Sequence, residues 1–169
     1  GDARLALEVF RGTRSLPQAA FDAARIRMET PTPRVALGLA LRGVATAAAD
    51  ISDGLVGDLG HILKASGVGG CIDTSIAIDL IANKDHLTLG KGQFDSEMAL
   101  DCVLGGGDDY ELVFTAPPAA RNRVKAAAVQ AQTPVTRIGQ IEGTSGLRLV
   151  DAAGQPLTQR FASFDHFAG

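Results

Sequence analysis

Three aspartates and a serine lie within nine positions of the stretch AAADISDGLVGDLGHIL, residues 47–63. Asp50, Ser52 and Asp53 stand where small apolar residues give way to a helical pattern, and Asp58 follows about one turn later as a solvated or packing acid. Unpartnered backbone N–H groups gather at a helix start, so the place suits capping side chains. It also suits a cation shared with a phosphate group, because carboxylate oxygens are ligands for Mg²⁺.

Two interpretations of this cluster follow. In the first, Ser52 caps the helix and Asp50 points into water. The negative charge of Asp53 interacts favourably with the positive end of the helix dipole. In the second, the fold holds the carboxylates of Asp50 and Asp53 together. Two carboxylates about 4 Å apart repel by roughly 4 kcal/mol at an effective dielectric near 20, whereas a helix start returns only about 0.3–1 kcal/mol for each. A cation or a bound proton is then required, and the residues alone leave both interpretations open.

The segment LGGGDDYELVFT, residues 104–115, holds a second candidate site. It is either an ordinary turn between a helix and a strand, or a loop that lets Asp108 or Asp109 reach a ligand carried by a neighbouring element. Glycine-rich phosphate cradles usually avoid adjacent carboxylates, so the two acids favour a cationic ligand or a metal. No Gly-Lys-Ser/Thr follows and no Gly-x-Ser-x-Gly occurs, which argues against a P-loop and a serine hydrolase.

The elements that position these residues interleave helices and strands without a strict β-α-β rhythm. Apolar spacing at i, i+4, i+7 and i+8 predicts a helix from Leu55 to Leu63 that ends at Gly67. The small residues of VATAAADIS, 44–52, predict a strand before it, with helix as the alternative because alanine is a strong helix former. The predicted fold class is α+β, with a mixed sheet packed against helices in one layered domain over residues 1–169. Further helices are predicted at 1–12, 15–28, 30–43, 95–107 and 117–132, and further strands at 71–78, 110–116, 133–143 and 145–157, the last two joined by a Gly-Thr-Ser-Gly turn.

The overall composition restricts the function classes. A net charge of −3 with scattered Lys and Arg argues against nucleic-acid binding, which needs clustered positive charge. Cys71 and Cys102 lie far apart without Cys-x-x-Cys spacing, which favours reduced thiols. No apolar run reaches the roughly 20 residues of a membrane span and no signal peptide is recognisable. We therefore expect a cytoplasmic protein that contacts neither membrane nor nucleic acid.

DISDGLVGDLGHILKASGVGG and LGGGDDYELVFT together resemble the C-terminal domain of the thiamine-monophosphate kinase family. That family belongs to the PurM-like superfamily, which also contains aminoimidazole ribonucleotide synthetase and selenophosphate synthetase. The segment PTPRVALGLALRGVATAAADISDGL and the FDHF tail match as well, so the resemblance extends from about Gly1 to Phe167. The resemblance implies a layered, PurM-like C-terminal fold.

The resemblance also implies an activity: direct in-line transfer of the ATP γ-phosphate to thiamine monophosphate, giving thiamine diphosphate, with Mg²⁺ between the phosphate groups. By position, Asp50 and Asp53 are then Mg²⁺ ligands and Ser52 is an ATP contact. Asp108 and Phe164 are contacts to the thiamine substrate. The family commonly has Glu where this chain has Asp108, and the shorter side chain reduces its reach by about one bond.

Members of the family are roughly twice as long as this chain. The resemblance therefore implies a C-terminal half that acts with an N-terminal half, belongs to a homodimer when complete, and is inactive or nearly so alone. Two alternatives stay open. One is another ATP-dependent member of the superfamily, and the other is a non-catalytic module that binds thiamine phosphates.

Overall fold

Three helices precede the first strand in the computed structural model, which describes residues 1–87, 95–159 and 161. They are α1 (Asp2–Phe10), α2 (Gln18–Glu29) and α3 (Val35–Ala40). α1 buries Leu5 and Ala6 and packs against α2. α2 starts after Pro17, whose fixed φ suits a helix entry, and Pro17 rather than Ser15 occupies its N-cap position.

The strands form two small sheets. β1 (Ala47–Asp50) pairs antiparallel with β3 (Leu112–Thr115), so that Asp50 lies opposite Leu112. β2 (Gly69–Asp73) lies between β4 (Gly139–Glu142) and β5 (Gly146–Val150), antiparallel to the first and parallel to the second. The remaining α-helices of the described residues are α4 (Leu55–Ser66), α5 (Thr74–Ala77), α6 (Ser96–Leu100) and α7 (Arg121–Gln130). The predicted α+β class with a mixed sheet is confirmed.

The order of the second sheet differs from the sequence expectation. The sequence predicts β4 and β5 as strands joined by a turn, which would make them neighbours in the sheet, but β2 lies between them. Gly69, the first residue of β2, pairs with both Glu142 and Gly146. A Cβ atom on Gly69 would lie 1.8 Å from the carbonyl oxygen of Thr144. The short connection therefore crosses over β2 at a residue that has no side chain to obstruct it.

The segment predicted as a strand at 71–78 changes to helix at Thr74. The Asp73 carboxylate accepts hydrogen bonds from the Ser75 backbone N–H (3.0 Å) and the Ser75 hydroxyl (2.6 Å). An aspartate at this position satisfies a free N–H of the first turn and so favours helix over continued strand. The strand prediction holds only up to Asp73.

Helix α4 is the element that positions the first candidate site. Leu55, Leu59 and Leu63 are buried on one face, as their spacing predicts, and α4 packs against β1, β2 and β5. Gly67 closes the helix in the left-handed conformation at φ 66°. A second core lies between α3, α7 and the Leu112 and Phe114 side chains of β3. Among the described residues, no helix combines the length and the apolar character needed to cross a bilayer.

Glu8 at the end of α1 is the centre of a partly buried polar network. Its carboxylate accepts hydrogen bonds from the Thr13 hydroxyl (2.5 Å), from Arg4 (2.8 Å) and from Arg11 (3.2 Å). The Thr13 hydrogen bond and the two arginines lower the pKa of Glu8 against the opposing effect of burial. The network joins α1 to the loop that leads into α2.

The Glu8 network predicts a pH-dependent part of the folding free energy. Its folded pKa lies below the ordinary value of 4.5, so the unfolded chain binds the proton more tightly than the folded chain. The contribution, about 1 kcal/mol, is fully present above that ordinary pKa and is lost as the pH falls through the folded pKa. Thermal unfolding of the wild type and Glu8→Gln between pH 6 and 2 measures it. The difference in Tm should shrink towards low pH, and a constant difference would contradict the assignment.

Candidate functional site

The junction between β1 and α4 carries the first set of predicted site residues. Asp50 is the exposed last residue of β1, and Ser52 and Asp53 are half-buried in the turn that follows. α4 begins only at Leu55, and its N-cap position is Gly54 at φ 116°, with no side-chain cap. The prediction that Ser52 caps the helix is therefore wrong, whereas Asp50 is exposed as the same interpretation expects. The turn is instead fixed from two other directions.

Asp58 fixes the turn from the helix side. Its buried carboxylate accepts hydrogen bonds through one oxygen, Oδ2, from the backbone N–H of Ser52 (3.0 Å) and from that of Asp53 (3.1 Å). Both N–H groups precede the helix and have no helical acceptor of their own. Asp58 thus belongs to the packing of the turn and is not a solvated acid.

The loop of three glycines and two aspartates at residues 105–111, called the glycine-acid loop below, fixes the same turn from the other side. The backbone N–H of Asp108 donates to the Ser52 carbonyl oxygen (3.0 Å), and the N–H of Tyr110 donates to the Ile51 carbonyl oxygen (3.0 Å). The N–H of Ile51 in turn donates to the carbonyl oxygen of Glu111 (2.8 Å). Two motifs that are more than 50 residues apart in sequence therefore lie side by side, joined by their backbones.

This close approach requires glycine at two positions. A Cβ on Gly107 would lie 2.3 Å from the Ser52 carbonyl oxygen, and one on Gly54 would lie 2.9 Å from that of Gly105. Both distances are well inside van der Waals contact, so a larger residue would push the two motifs apart. Each of these glycines makes room for the backbone of the other motif, which the sequence alone does not show.

A π-helical turn from Asp101 to Gly105 leads into the glycine-acid loop. Single π turns inside helices are frequent at functional sites because they displace the residues that follow. Burial raises the pKa of the Cys102 thiol in this turn to about 12, so at neutral pH the thiol is not ionised and is not a nucleophile. Both Cys71 and Cys102 are free, as the sequence predicts.

The two acids of the loop have different surroundings. Asp109 is buried and accepts a hydrogen bond from the Ala3 backbone N–H (3.3 Å), so it joins the loop to the start of α1. Asp108 is exposed and has φ 63°. Tyr110, also exposed, has φ 49°. Left-handed backbone at residues other than glycine costs of order 1–3 kcal/mol and concentrates at functional sites.

Glu111 ends this segment in an ion-pair cluster. Arg34 donates to its two carboxylate oxygens through Nε (2.7 Å) and Nη2 (2.6 Å), and Arg27 pairs with the same carboxylate. These hydrogen bonds raise the pKa of Arg34. None of the three residues was singled out from the sequence. An acid at the start of the apolar run ELVFT was the available signal, but its partners lie 77 and 84 positions away.

Residues 7–152 match the family described as AIR synthase related protein, C-terminal domain. The chain belongs to this family. Curated relatives named thiamine-monophosphate kinase include that of Salmonella typhimurium, 43% identical over 139 residues, and that of Escherichia coli, 41% identical over 142 residues. Each alignment covers 82% of this chain and 40% of the relative. This AIR synthase related domain therefore spans about 40% of the length of these relatives.

Solved structures give the same result for the fold of the AIR synthase related domain. The crystal structure of thiamine-monophosphate kinase from Stenotrophomonas maltophilia K279a has a TM-score of 0.76 and 39% identity, covering 88% of this chain and 46% of that one. The structure described as AaThiL complexed with AMPPCP and TMP has a TM-score of 0.68 and 27% identity, covering 98% and 48%. The resemblance and the PurM-like fold class predicted from the sequence are confirmed.

The resemblance implies Mg²⁺, an ion that prefers oxygen ligands. Within 1–87, 95–159 and 161, no three His, Cys, Asp or Glu side chains gather closely enough to hold a metal ion. Mg²⁺ usually takes one or two protein carboxylates and completes its shell with water and substrate phosphates. The exposed Asp50 and the half-buried Asp53 offer carboxylates of the kind that such a shared ion takes.

Four of the five predicted site residues lie in the part of the chain that the structure describes. Ser52, Asp53 and Asp108 lie on adjoining turns, and Asp50 precedes them at the end of β1. Their roles as Mg²⁺, ATP and substrate contacts stay predictions. Phe164 lies outside the described residues.

Proposed function

We propose that this chain is the C-terminal part of a longer thiamine-monophosphate kinase that transfers the γ-phosphate of ATP to thiamine monophosphate. The observation that carries the proposal is the backbone junction of the two motifs, in which the backbone N–H of Asp108 donates to the Ser52 carbonyl oxygen (3.0 Å). It brings Asp108, the proposed substrate contact, next to Ser52, the proposed ATP contact, which supports the proposal. Transfer between two bound phosphates needs such adjacency, since positioning is most of what the protein supplies.

Each residue has a proposed part in binding. Asp50 and Asp53 hold Mg²⁺, Ser52 contacts ATP through its hydroxyl, and the Asp108 carboxylate faces the thiazolium cation of the substrate. Mg²⁺, when bound, neutralises phosphate charge as the γ-phosphoryl group passes in line to its acceptor. The second substrate contact is Phe164. No nucleophilic side chain is needed, which agrees with the un-ionised Cys102 thiol.

The comparisons support this assignment. The curated relatives carry the name of the kinase, and AaThiL is described with AMPPCP, an ATP analogue, and with TMP, which we take to be thiamine monophosphate. Because the chain spans only about 40% of those relatives, we propose that the rest of the ATP site comes from an N-terminal part. A cytoplasmic location, where ATP is available, belongs to the same proposal.

A chimeric protein tests the function directly. This chain replaces the matching part of the Stenotrophomonas maltophilia kinase and is joined to the N-terminal part of that protein. The match to this chain covers 46% of that kinase. The chimera should form thiamine diphosphate from thiamine monophosphate with ATP and Mg²⁺, and EDTA should abolish the reaction. Activity that survives EDTA would contradict the metal role. ATP turnover with another acceptor would indicate a different superfamily member, and binding of thiamine diphosphate without turnover would indicate a non-catalytic module.

The substitution Asp53→Asn tests the metal assignment in the same chimera. It removes a negative charge proposed to lie on Mg²⁺ while keeping the side-chain shape, so we expect kcat/KM to fall at least about 100-fold. The Tm should stay within about 2 °C of the wild type. Asp22→Asn, the same change at an exposed position of α2, is the matched control and should leave both values unchanged. A large fall in Tm for Asp53→Asn would mean that this acid is structural.

A further inference from the structure

We propose that Arg27 and Arg34 are positioning residues that act through Glu111 to hold the Asp108–Glu111 segment against the Ile51–Ser52 turn. Neither arginine belongs to the motifs assigned to ATP, metal or substrate. The importance of this cluster for substrate binding rests on the proposed function. Its effect on the geometry of the segment does not.

The contacts converge on one carboxylate from two helices. Arg34 occupies the N-cap position of α3 and binds both oxygens of Glu111, at 2.7 and 2.6 Å. Arg27 lies in the last turn of α2 and pairs with the same carboxylate. A bidentate guanidinium fixes the direction of a carboxylate as well as its distance. Glu111 is therefore held in orientation, and so is the backbone that carries it.

The backbone of this segment needs such support. Asp108 and Tyr110 have φ values of 63° and 49°, which side-chain-bearing residues adopt only when their surroundings impose them. Asp109 between them is fixed to the start of α1. Glu111 follows Tyr110, and its carbonyl oxygen accepts a hydrogen bond from the backbone N–H of Ile51 (2.8 Å). The anchors at Asp109 and Glu111 thus support the two strained, exposed residues beside them.

The cluster of Arg27, Arg34 and Glu111 is partly exposed, so its effect on loop position can be measured apart from any effect on global stability. The side chains of Arg27, Arg34 and Glu111 are 27%, 23% and 35% exposed, and ion pairs this open to solvent add little to global stability. The Arg148–Glu142 pair, which is also bidentate, joins β5 to β4 at the second sheet. It has the same chemistry without contact to the candidate site loops, and it therefore supplies a matched control.

Amide hydrogen exchange on the 169-residue chain tests the geometric effect without any assay of activity. Glu111→Gln and Arg34→Lys should accelerate exchange about fivefold or more at the N–H groups of Asp108 and Tyr110. Exchange at Ile72, in the central strand β2, should stay the same. Glu142→Gln should change neither loop amide. Unchanged exchange at both loop amides in Glu111→Gln, or acceleration throughout the chain, would overturn the proposal.

Kinetics of the chimera test the consequence for the substrate. Glu111→Gln should raise KM for thiamine monophosphate about fivefold or more, with little change in Tm or in KM for ATP. Glu111→Asp keeps the negative charge that both arginines bind and should restore part of the loss seen in Glu111→Gln, as a merely structural disturbance would not. An unchanged KM for thiamine monophosphate would overturn the link to the substrate. A wild-type chimera without any activity would reject the proposed function instead, and the exchange data would still decide the positioning role.

Discussion

Gly107→Ala is expected to lower the Tm of this chain by roughly 6–12 °C and to abolish most of the activity of the chimera. The added Cβ would lie 2.3 Å from the Ser52 carbonyl oxygen, a backbone atom that cannot rotate away. Overpacking of this kind costs about 1–3 kcal/mol, and separating the loops also loses the Asp108–Ser52 hydrogen bond, worth about 1 kcal/mol. A total near 3 kcal/mol gives the stated shift for a domain of this size.

The control for this substitution is Gly143→Ala. Gly143 has open space where its Cβ would lie, and neither Gly107 nor Gly143 has a left-handed φ, so alanine suits both backbones. The two variants thus add the same methyl group, at Gly107 against a backbone oxygen and at Gly143 into open space. Gly143→Ala should unfold within about 2 °C of the wild type, as for a surface substitution. Equal Tm values for the two variants would contradict the close junction of the motifs.

Features that depend on neighbouring residues could be predicted from the sequence. The buried face of α4 follows from the spacing of Leu55, Leu59 and Leu63, and its end follows from Gly67, which takes the left-handed conformation cheaply. The strand before it is also where it was expected, up to Asp50. Each of these predictions needs only a local pattern or the conformational preference of one residue type.

Features that depend on the tertiary fold could not be predicted. The position of β2 between β4 and β5 depends on Gly69, which looks like any other glycine of a turn until Thr144 is placed against it. Ser52 was a reasonable N-cap, but Gly54 occupies that position, because the backbone of Ile51 and Ser52 is bound to the glycine-acid loop instead. Spacing alone does not tell an acid that binds a ligand from one that binds backbone.

Asp58 is the clearest example of that ambiguity, and it gives the second large effect. Asp58→Ala is expected to destabilise the chain by about 2–3 kcal/mol, because the N–H groups of Ser52 and Asp53 both lose a charged acceptor. For 169 residues this corresponds to a fall in Tm of roughly 4–12 °C, measured by thermal unfolding of the isolated chain. Activity of the chimera should fall as well, because the turn that carries Asp53 is released.

Asp58→Asn distinguishes the loss of the acceptor from the loss of charge. The amide keeps one oxygen that can accept both N–H groups, so the Tm should recover to within about half of the alanine effect. Asp58→Asn is thus expected to restore much of the Tm that Asp58→Ala loses. Asp53→Asn should instead remove activity at constant Tm. If Asp58→Asn instead lost activity as Asp53→Asn does, with its Tm intact, Asp58 would itself be a ligand-binding acid. The two aspartates, five positions apart, therefore separate folding from chemistry in one pair of measurements.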